Sequence, residues 1–598
     1  MSETGIWTSR ARRIMASLAL VFLWVTLSAA SCKRNTDTAV GSDPVRGATD
    51  EADTAEATTR PADAPSVSTA YEDVGPPAPA IFMITGMKGY YAPCGCTADV
   101  KAGGIDRMEG VLTQARAHHP AHLLLDGGNM LFEEPVIDER RVDFEKDKAQ
   151  LVADAHRVFG TRMTVPGPND FAMGTTYYRD TMQRVGITPR AINMVIDGRA
   201  LGGVEVVELD GIQVGVVPVV DPEEFTEATE EHGATFTGVD TEPFEEPLSQ
   251  ELEALVKKDI DVIVVVFHGK AGAAKALLEA HSQVDFVMVG VPERETDQVD
   301  PMANGYTLEP FDQGRYLGIL KLYAGDDARR ARPLTNARPV SKADLDAVEK
   351  RIARVNEIIN SLPPALQGEE PPLLKRQREA LLELKRAREE LMNTKIAVPQ
   401  GVSAFLWRAL RLEEGYPEDP KLTKAIAAFD RKTGEVEPGE VIPVEQGQAF
   451  FVGSPQCISC HAEAYALWET TAHAKAWETL EEQGKHTNPD CIGCHVVGYE
   501  QPGGSAIKNV QYPASNELGM EWTKDLRDVG CESCHGPGSQ HMLFALKGQT
   551  AEAKEHIKLE GPAEFCASTC HVPEHSPRFQ YETYIEEITG KGHELRRR

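Results

Sequence analysis

Cys457-Ile-Ser-Cys460-His461, Cys491-Ile-Gly-Cys494-His495 and Cys531-Glu-Ser-Cys534-His535 repeat one pattern, and Cys566-Ala-Ser-Thr-Cys570-His571 repeats it with one residue inserted. Cys-x-x-Cys-His is the attachment signature of c-type haem. Two thiols about one helical turn apart each add across one vinyl group of the porphyrin. The histidine after the second thiol then lies under the ring as the proximal iron ligand. The pattern predicts four haem c groups with their irons, carried on Cys457, Cys460, Cys491, Cys494, Cys531, Cys534, Cys566 and Cys570. His461, His495, His535 and His571 are the predicted proximal ligands. Paired cysteines also build zinc sites and disulfides, but neither needs a histidine at the same place after every pair.

A chain of 598 residues exceeds one domain, and about three or four units are expected. Its 62 basic and 92 acidic residues give a net charge of −30. That balance argues against nucleic acid and anionic membrane surfaces as partners, and favours solubility or a cationic or neutral partner. Of the 11 cysteines, eight lie in the haem motifs, Cys32 ends the leader, and two form Cys94-Gly-Cys96.

Arg10, Arg12 and Arg13 precede an apolar run over 14–27, the layout of a signal peptide and too short for a comfortable span. The run closes on Ala29-Ala30-Ser31-Cys32, which resembles a bacterial lipoprotein cleavage box, with Ala29 where leucine is usual. The resemblance implies lipidation of Cys32 and anchoring of residues 33 onward to a membrane surface, the outer membrane rather than the inner. Because haem c is attached to an unfolded exported chain, general secretion to the periplasm is expected. Residues 33–79 are rich in Ala, Thr, Asp, Glu and Pro without apolar periodicity, as in a disordered tether.

From 80 to 330, β-rich runs at 81–85, 122–125, 204–207, 212–217, 262–267, 286–290 and 316–322 alternate with helical stretches at 146–159, 246–257 and 271–281. The alternation predicts an α/β sandwich. Its motif order resembles the calcineurin-like metallophosphoesterases, particularly 5′-nucleotidases. The family's ligand motifs fall on Gly86-Met87-Lys88-Gly89, Gly128-Asn129, Gly167-Pro168-Asn169-Asp170 and Gly290-Val291-Pro292-Glu293, and only His268-Gly269 is kept. A dinuclear site needs a bridging aspartate and several histidines. Gly86 offers no ligand atom and Lys88 brings a positive charge, so a degenerate domain without phosphatase activity is expected, with His268 a core histidine. Cys94-Gly-Cys96 resembles a feature of nucleotidase-like domains joined to multihaem cytochromes. The pair suits a redox-labile disulfide, a soft metal, or a structural turn.

Ser341-x-x-Asp344 resembles a capping box, followed by Leu345, Val348, Ile352, Val355, Ile359 and Leu362 at helical spacing. Leu374, Leu381, Leu384 and Leu391 form a second seam after Pro371-Pro372, so an antiparallel helical hairpin is expected over 340–397. Residues 398–445 read as a connecting segment, with a strand over 402–410 and a helix over 420–431. The cytochrome region then runs from 446 to 598.

The phrases between the haem motifs, Tyr465…Trp468…Thr471…His473-Ala474 and Gly536-Pro537-Gly538-Ser539-Gln540-His541, resemble the cytochrome c-554 family of tetrahaem electron carriers. The resemblance implies distal iron ligands at His473, His541 and His593; His486, His556 and His575 are weaker candidates. The fold class expected is therefore multidomain: an α/β metallophosphoesterase-like sandwich, a helical hairpin, and a mostly α multihaem domain with little regular structure. The function expected is electron transfer between other redox proteins of the cell envelope, with haem-based reduction of a small nitrogen or sulfur compound, and metal-dependent phosphoester hydrolysis, as alternatives.

Overall fold

The structure is a computed structural model that describes residues 71–589 apart from short stretches, chiefly 94–101, 295–298, 326–333, 338–341, most of 362–402, 436–438, 559–562 and 573–575. The leader with Cys32, the tether, Cys94, Cys96, His575 and His593 lie outside the described residues.

The strand Ala80–Ile84 is buried at every position, as a central strand covered on both faces must be. It runs parallel to His122–Asp126 and antiparallel to Tyr316–Tyr323. These strands are central to a seven-stranded sheet in the order Thr335–Asn336, Ala404–Arg411, Tyr316–Tyr323, Ala80–Ile84, His122–Asp126, Met163–Thr164, Thr188–Pro189. A second, six-stranded sheet is centred on Val262–Lys270, parallel to Ile212–Val220 and Phe286–Val291. The period of two along Val262–Lys270 divides its side chains between two cores. Val262, Val264 and Val266 face the larger core shared with the first sheet, where Phe405 meets Phe286 edge-on at 4.9 Å. Ile263, Val265 and Phe267 face the helices Glu245–Val256 and Ala271–Ala280 through Leu248, Leu252, Leu277 and Leu278.

Two expected boundaries move. Ala404–Arg411, assigned to the connecting segment, is an inner strand of the first sheet, hydrogen-bonded along its whole length to Tyr316–Tyr323. Its first four residues, Ala-Phe-Leu-Trp, are all buried, so the α/β domain is incomplete without it. The end of the same segment belongs to the cytochrome region: the Gly439 N–H donates to Ile507 O at 2.8 Å and the Gly503 N–H to Ile442 O at 2.8 Å. Three helices join those expected: Ile105–His118, Gly174–Val185 and Pro222–His232. In the first, Asp106, Arg107 and Glu109 are buried beside Ile105 and Met108, which hides the apolar period from composition. Of the helical hairpin, Lys342–Ser361 is a helix, and Arg388 pairs with its Glu349 at 2.9 Å.

The cytochrome region is built of short helices and one hairpin, Gln511–Ser515 against Glu521–Asp525, which the expected mostly helical layout did not include. Its apolar clusters are small. One holds Trp477, Ile492, Val496 and Val510, the other Phe451, Val497 and Leu526. Among the described residues, no helix is long and apolar enough to cross a membrane.

Candidate haem-binding site

Each haem motif lies on a helical turn. Cys491 and Cys494 lie on Pro489–His495 and Cys531 and Cys534 on Cys531–His535, while the helix Ile458–Trp468 follows directly from Cys457 and kinks at His461. Residues three or four apart on a helix are neighbours on its surface, the spacing of each cysteine pair. This also explains the stretched fourth motif. The Cys570 N–H donates to Cys566 O at 3.3 Å, so a spacing of four there closes one α-helical turn.

Three of the candidate histidines are held through one ring nitrogen. His495 lies against Ala476 O at 2.5 Å, His535 against Lys558 O at 2.6 Å and His541 against Ala553 O at 2.8 Å, all through Nδ1. A ring that donates Nδ1–H to a carbonyl carries its free electron pair on Nε2, the arrangement seen behind metal-binding histidines. His571 has Ser576 Oγ at 3.1 Å from Nδ1 and stacks on Phe579 at 4.3 Å. Burial, and then the neighbouring His541 and His535, push the pKa of His461 below its ordinary value; burial, and then His571, do the same for His473. Neutral imidazole is the form that binds metal.

Two pairs of histidine rings lie close together, the first near-parallel at 28° and the second tilted at 55°. His461 and His541 have ring centres 6.1 Å apart, and so do His473 and His571. Two ring nitrogens each about 2.0 Å from one iron would place the two ring centres roughly 6 Å apart, the spacing of both pairs. The other candidates stand differently. His486 lies edge-on to Trp477 at 5.7 Å, and His556 stacks flat on Phe544 at 4.7 Å.

Residues 456–536 match the family described as cytochrome c554 and c-prime. Over 171 residues the chain is 37% identical to cytochrome c-554 of Nitrosomonas europaea, an alignment covering 24% of this chain and 68% of that protein. The chain belongs to the cytochrome c-554 family. As a c-type cytochrome it holds haem covalently through its iron-bearing macrocycle. Among solved structures the chain is similar to a putative 5′-nucleotidase from Staphylococcus aureus, at 19% identity and a TM-score of 0.34. That likeness covers 42% of this chain and 51% of the other, about half its length. It is also similar to the 5′-nucleotidase precursor of Thermus thermophilus, at 13% identity and a TM-score of 0.40, over 80% of this chain and 92% of that one. Likeness at this distance says nothing about chemistry.

The cytochrome motifs are stapled together by residues that the motif pattern alone does not mark. Glu532, inside the third motif, accepts the N–H groups of Val452, Gly453 and Gly538. Asn488 caps the helix of the second motif, with its Oδ1 2.9 Å from the Asp490 N–H. Asn488-Pro489 was a legible signal, because a capping residue followed by proline marks a helix start. Glu532 left no such signal, since a glutamate between two cysteines reads as solvated.

The positions on which the resemblance to phosphoesterase motifs falls also converge, at the carboxyl ends of the strands. Lys88 pairs with Asp312 at 2.8 Å, and Asn129 Oδ1 accepts the Asn169 N–H at 3.0 Å. His268 is wholly buried between the sheets, its Nδ1 2.7 Å from Gly127 O, and burial lowers its pKa to about 4. A Cβ on Gly167 would stand 2.3 Å from His268 Nε2, so glycine there is what admits the ring. Its Nε2 has no hydrogen-bond partner among the described residues, so the ring is only half satisfied.

Proposed function

We propose that this cytochrome carries electrons along four covalently held haems in the bacterial cell envelope, between partner redox proteins. The observation that carries the reading is two pairs of imidazoles with ring centres 6.1 Å apart, His461 with His541 and His473 with His571. Two imidazoles keep an iron six-coordinate in both charge states, so little reorganises when an electron arrives or leaves. The remaining proximal ligands are His495 and His535, with His593 as the third distal ligand. A lipid on Cys32 tethers the chain, and the α/β domain serves as a docking platform for a partner. Protein matured in the periplasm tests this directly. Pyridine haemochrome and peptide masses should give four haems, on the Cys457, Cys491, Cys531 and Cys566 peptides, and redox titration should show them reduced in steps, with low-spin signals from the haems of His461 and His571. Fewer than four, or a colourless product, overturns it.

One observation favours a second reading, reduction of a small nitrogen or sulfur compound at an open haem. The named distal ligands, His473, His541 and His593, are three for four irons. A high-spin signal perturbed by nitrite or nitric oxide would support that reading, and an all-low-spin spectrum would exclude it.

A further inference from the structure

An ion cluster joins the α/β domain to one haem motif. On the helix Val142–Phe159, Lys148 lies 2.9 Å from Asp490, and Arg141, the residue before that helix, pairs with the other oxygen of the same carboxylate. Glu145 closes the cluster, 2.8 Å from Arg141 and 3.0 Å from Lys148. Asp490 directly precedes Cys491 on the helix that carries Cys491, Cys494 and His495. Beside it, Asn488 Nδ2 donates to the Tyr91 hydroxyl at 2.9 Å, so the contact is held on two sides. The Lys148 side chain is 3% exposed, so solvent ions screen its charge poorly.

We propose that Lys148 and Arg141 of the α/β domain, acting with Asp490, set the reduction potential of the iron attached at Cys491, Cys494 and His495. The domain is then a tuning element of the electron path as well as a platform. This rests on the reading that these residues carry haem. A positive charge near the iron favours its ferrous form and a negative charge its ferric form. As built, Lys148 and Arg141 balance Glu145 and Asp490. Removing the lysine charge leaves a net negative cluster and lowers the potential; removing the Asp490 charge leaves a net positive one and raises it. These are positioning residues that act through charge, and the sign separates them from packing.

Spectroelectrochemical titration of the full-length holoprotein tests this on wild type, Lys148→Gln, Asp490→Asn, the double variant and the charge-keeping Lys148→Arg. The expected result is that one titration component moves down in Lys148→Gln and up in Asp490→Asn, and returns towards wild type in the double variant. The other components, and Lys148→Arg, stay in place. Unmoved components, or a shift in the same direction for both single variants, overturn the proposal, since loosened packing would act that way. If Lys148→Gln does not mature, Arg141→Gln replaces it, with the same downward shift expected and an unmoved component overturning the proposal. Failure of the underlying reading shows separately, as wild type with no macrocycle mass on the Cys491 peptide.

Discussion

Replacing Glu532 with alanine should unfasten the first haem motif from the third. The residue is 2% exposed. Its carboxylate accepts the Val452 N–H at 2.9 and 3.0 Å, the Gly453 N–H at 2.7 Å and the Gly538 N–H at 2.7 Å. Val452 and Gly453 lead into the first motif, and Gly538 lies in the turn after the third. Glu532→Ala strands three buried donors at about 1–3 kcal/mol each. Part is recovered because a buried carboxylate is itself costly; burial pushes the pKa of Glu532 up even against its backbone donors. A net loss of about 4 kcal/mol follows, near the top of the range for single substitutions. Glu532→Gln keeps the shape and one acceptor oxygen and should lose about 2 kcal/mol. Urea unfolding followed by circular dichroism in the haem absorption band reports this region apart from the α/β domain. With a slope of about 2 kcal/mol per molar, the alanine variant should unfold about 2 M earlier. A shift under about 0.5 M would show that the three donors find other partners, and that the staple is not what holds the motifs in register.

Removing the ring opposite a proximal histidine should leave that iron five-coordinate. His541→Ala and His473→Ala should each turn a different single haem high-spin and open to carbon monoxide, read by electron paramagnetic resonance. In the α/β domain, burial, opposed by the Thr164 hydroxyl, raises Asp126 from 3.8 to about 8. Its folded-state pKa lies above its unfolded one, so its contribution is complete below about pH 4 and is lost as pH rises through about 8, at no more than about 1.4 kcal/mol per unit. Urea midpoints should fall over that window and flatten in Asp126→Asn. A Cβ on Gly110 would stand 1.9 Å from Pro417 O, so Gly110→Ala should cost at least about 2 kcal/mol in the same assay. Asp419 caps the helix Pro420–Gly434 through the Lys421 and Leu422 N–H groups, and Asp419→Ala should cost about 1 kcal/mol.

Sequence spacing made the haem motifs legible because the chemistry of attachment is local: two thiols and a histidine within one helical turn. The central strands were legible for a similar reason, since a run such as Val262 to Val266 has few other uses. What stayed hidden depends on distant partners. Ala404–Arg411 reads as an isolated strand until Tyr316–Tyr323 is found beside it. The pairing of His461 with His541 joins residues 80 apart, and spacing carries no trace of it. Asp490 and Lys148 lie far apart in the chain, and each alone resembles an ordinary surface charge.

The contrast between the two halves follows from what fills them. The α/β domain buries continuous apolar strands in two cores and needs no cofactor to account for its shape. Among the described residues, the cytochrome region has small clusters around Trp477 and Phe451, and it leaves Ile458, Leu546 and Phe565 exposed. Clusters that small cannot by themselves offset the entropy of ordering so many short helices. Haem bound at the motifs would add apolar surface here, and thiol links to it would shorten the loops that close around it. Backbone staples such as Glu532 and Asn488 then fix the motifs relative to one another, and Asp490 fixes one of them to the α/β domain. Polar contacts between motifs thus set the geometry of the described part of the region. A change to a staple should alter haem-to-haem geometry before it alters haem content, whereas loss of a motif cysteine should do the reverse.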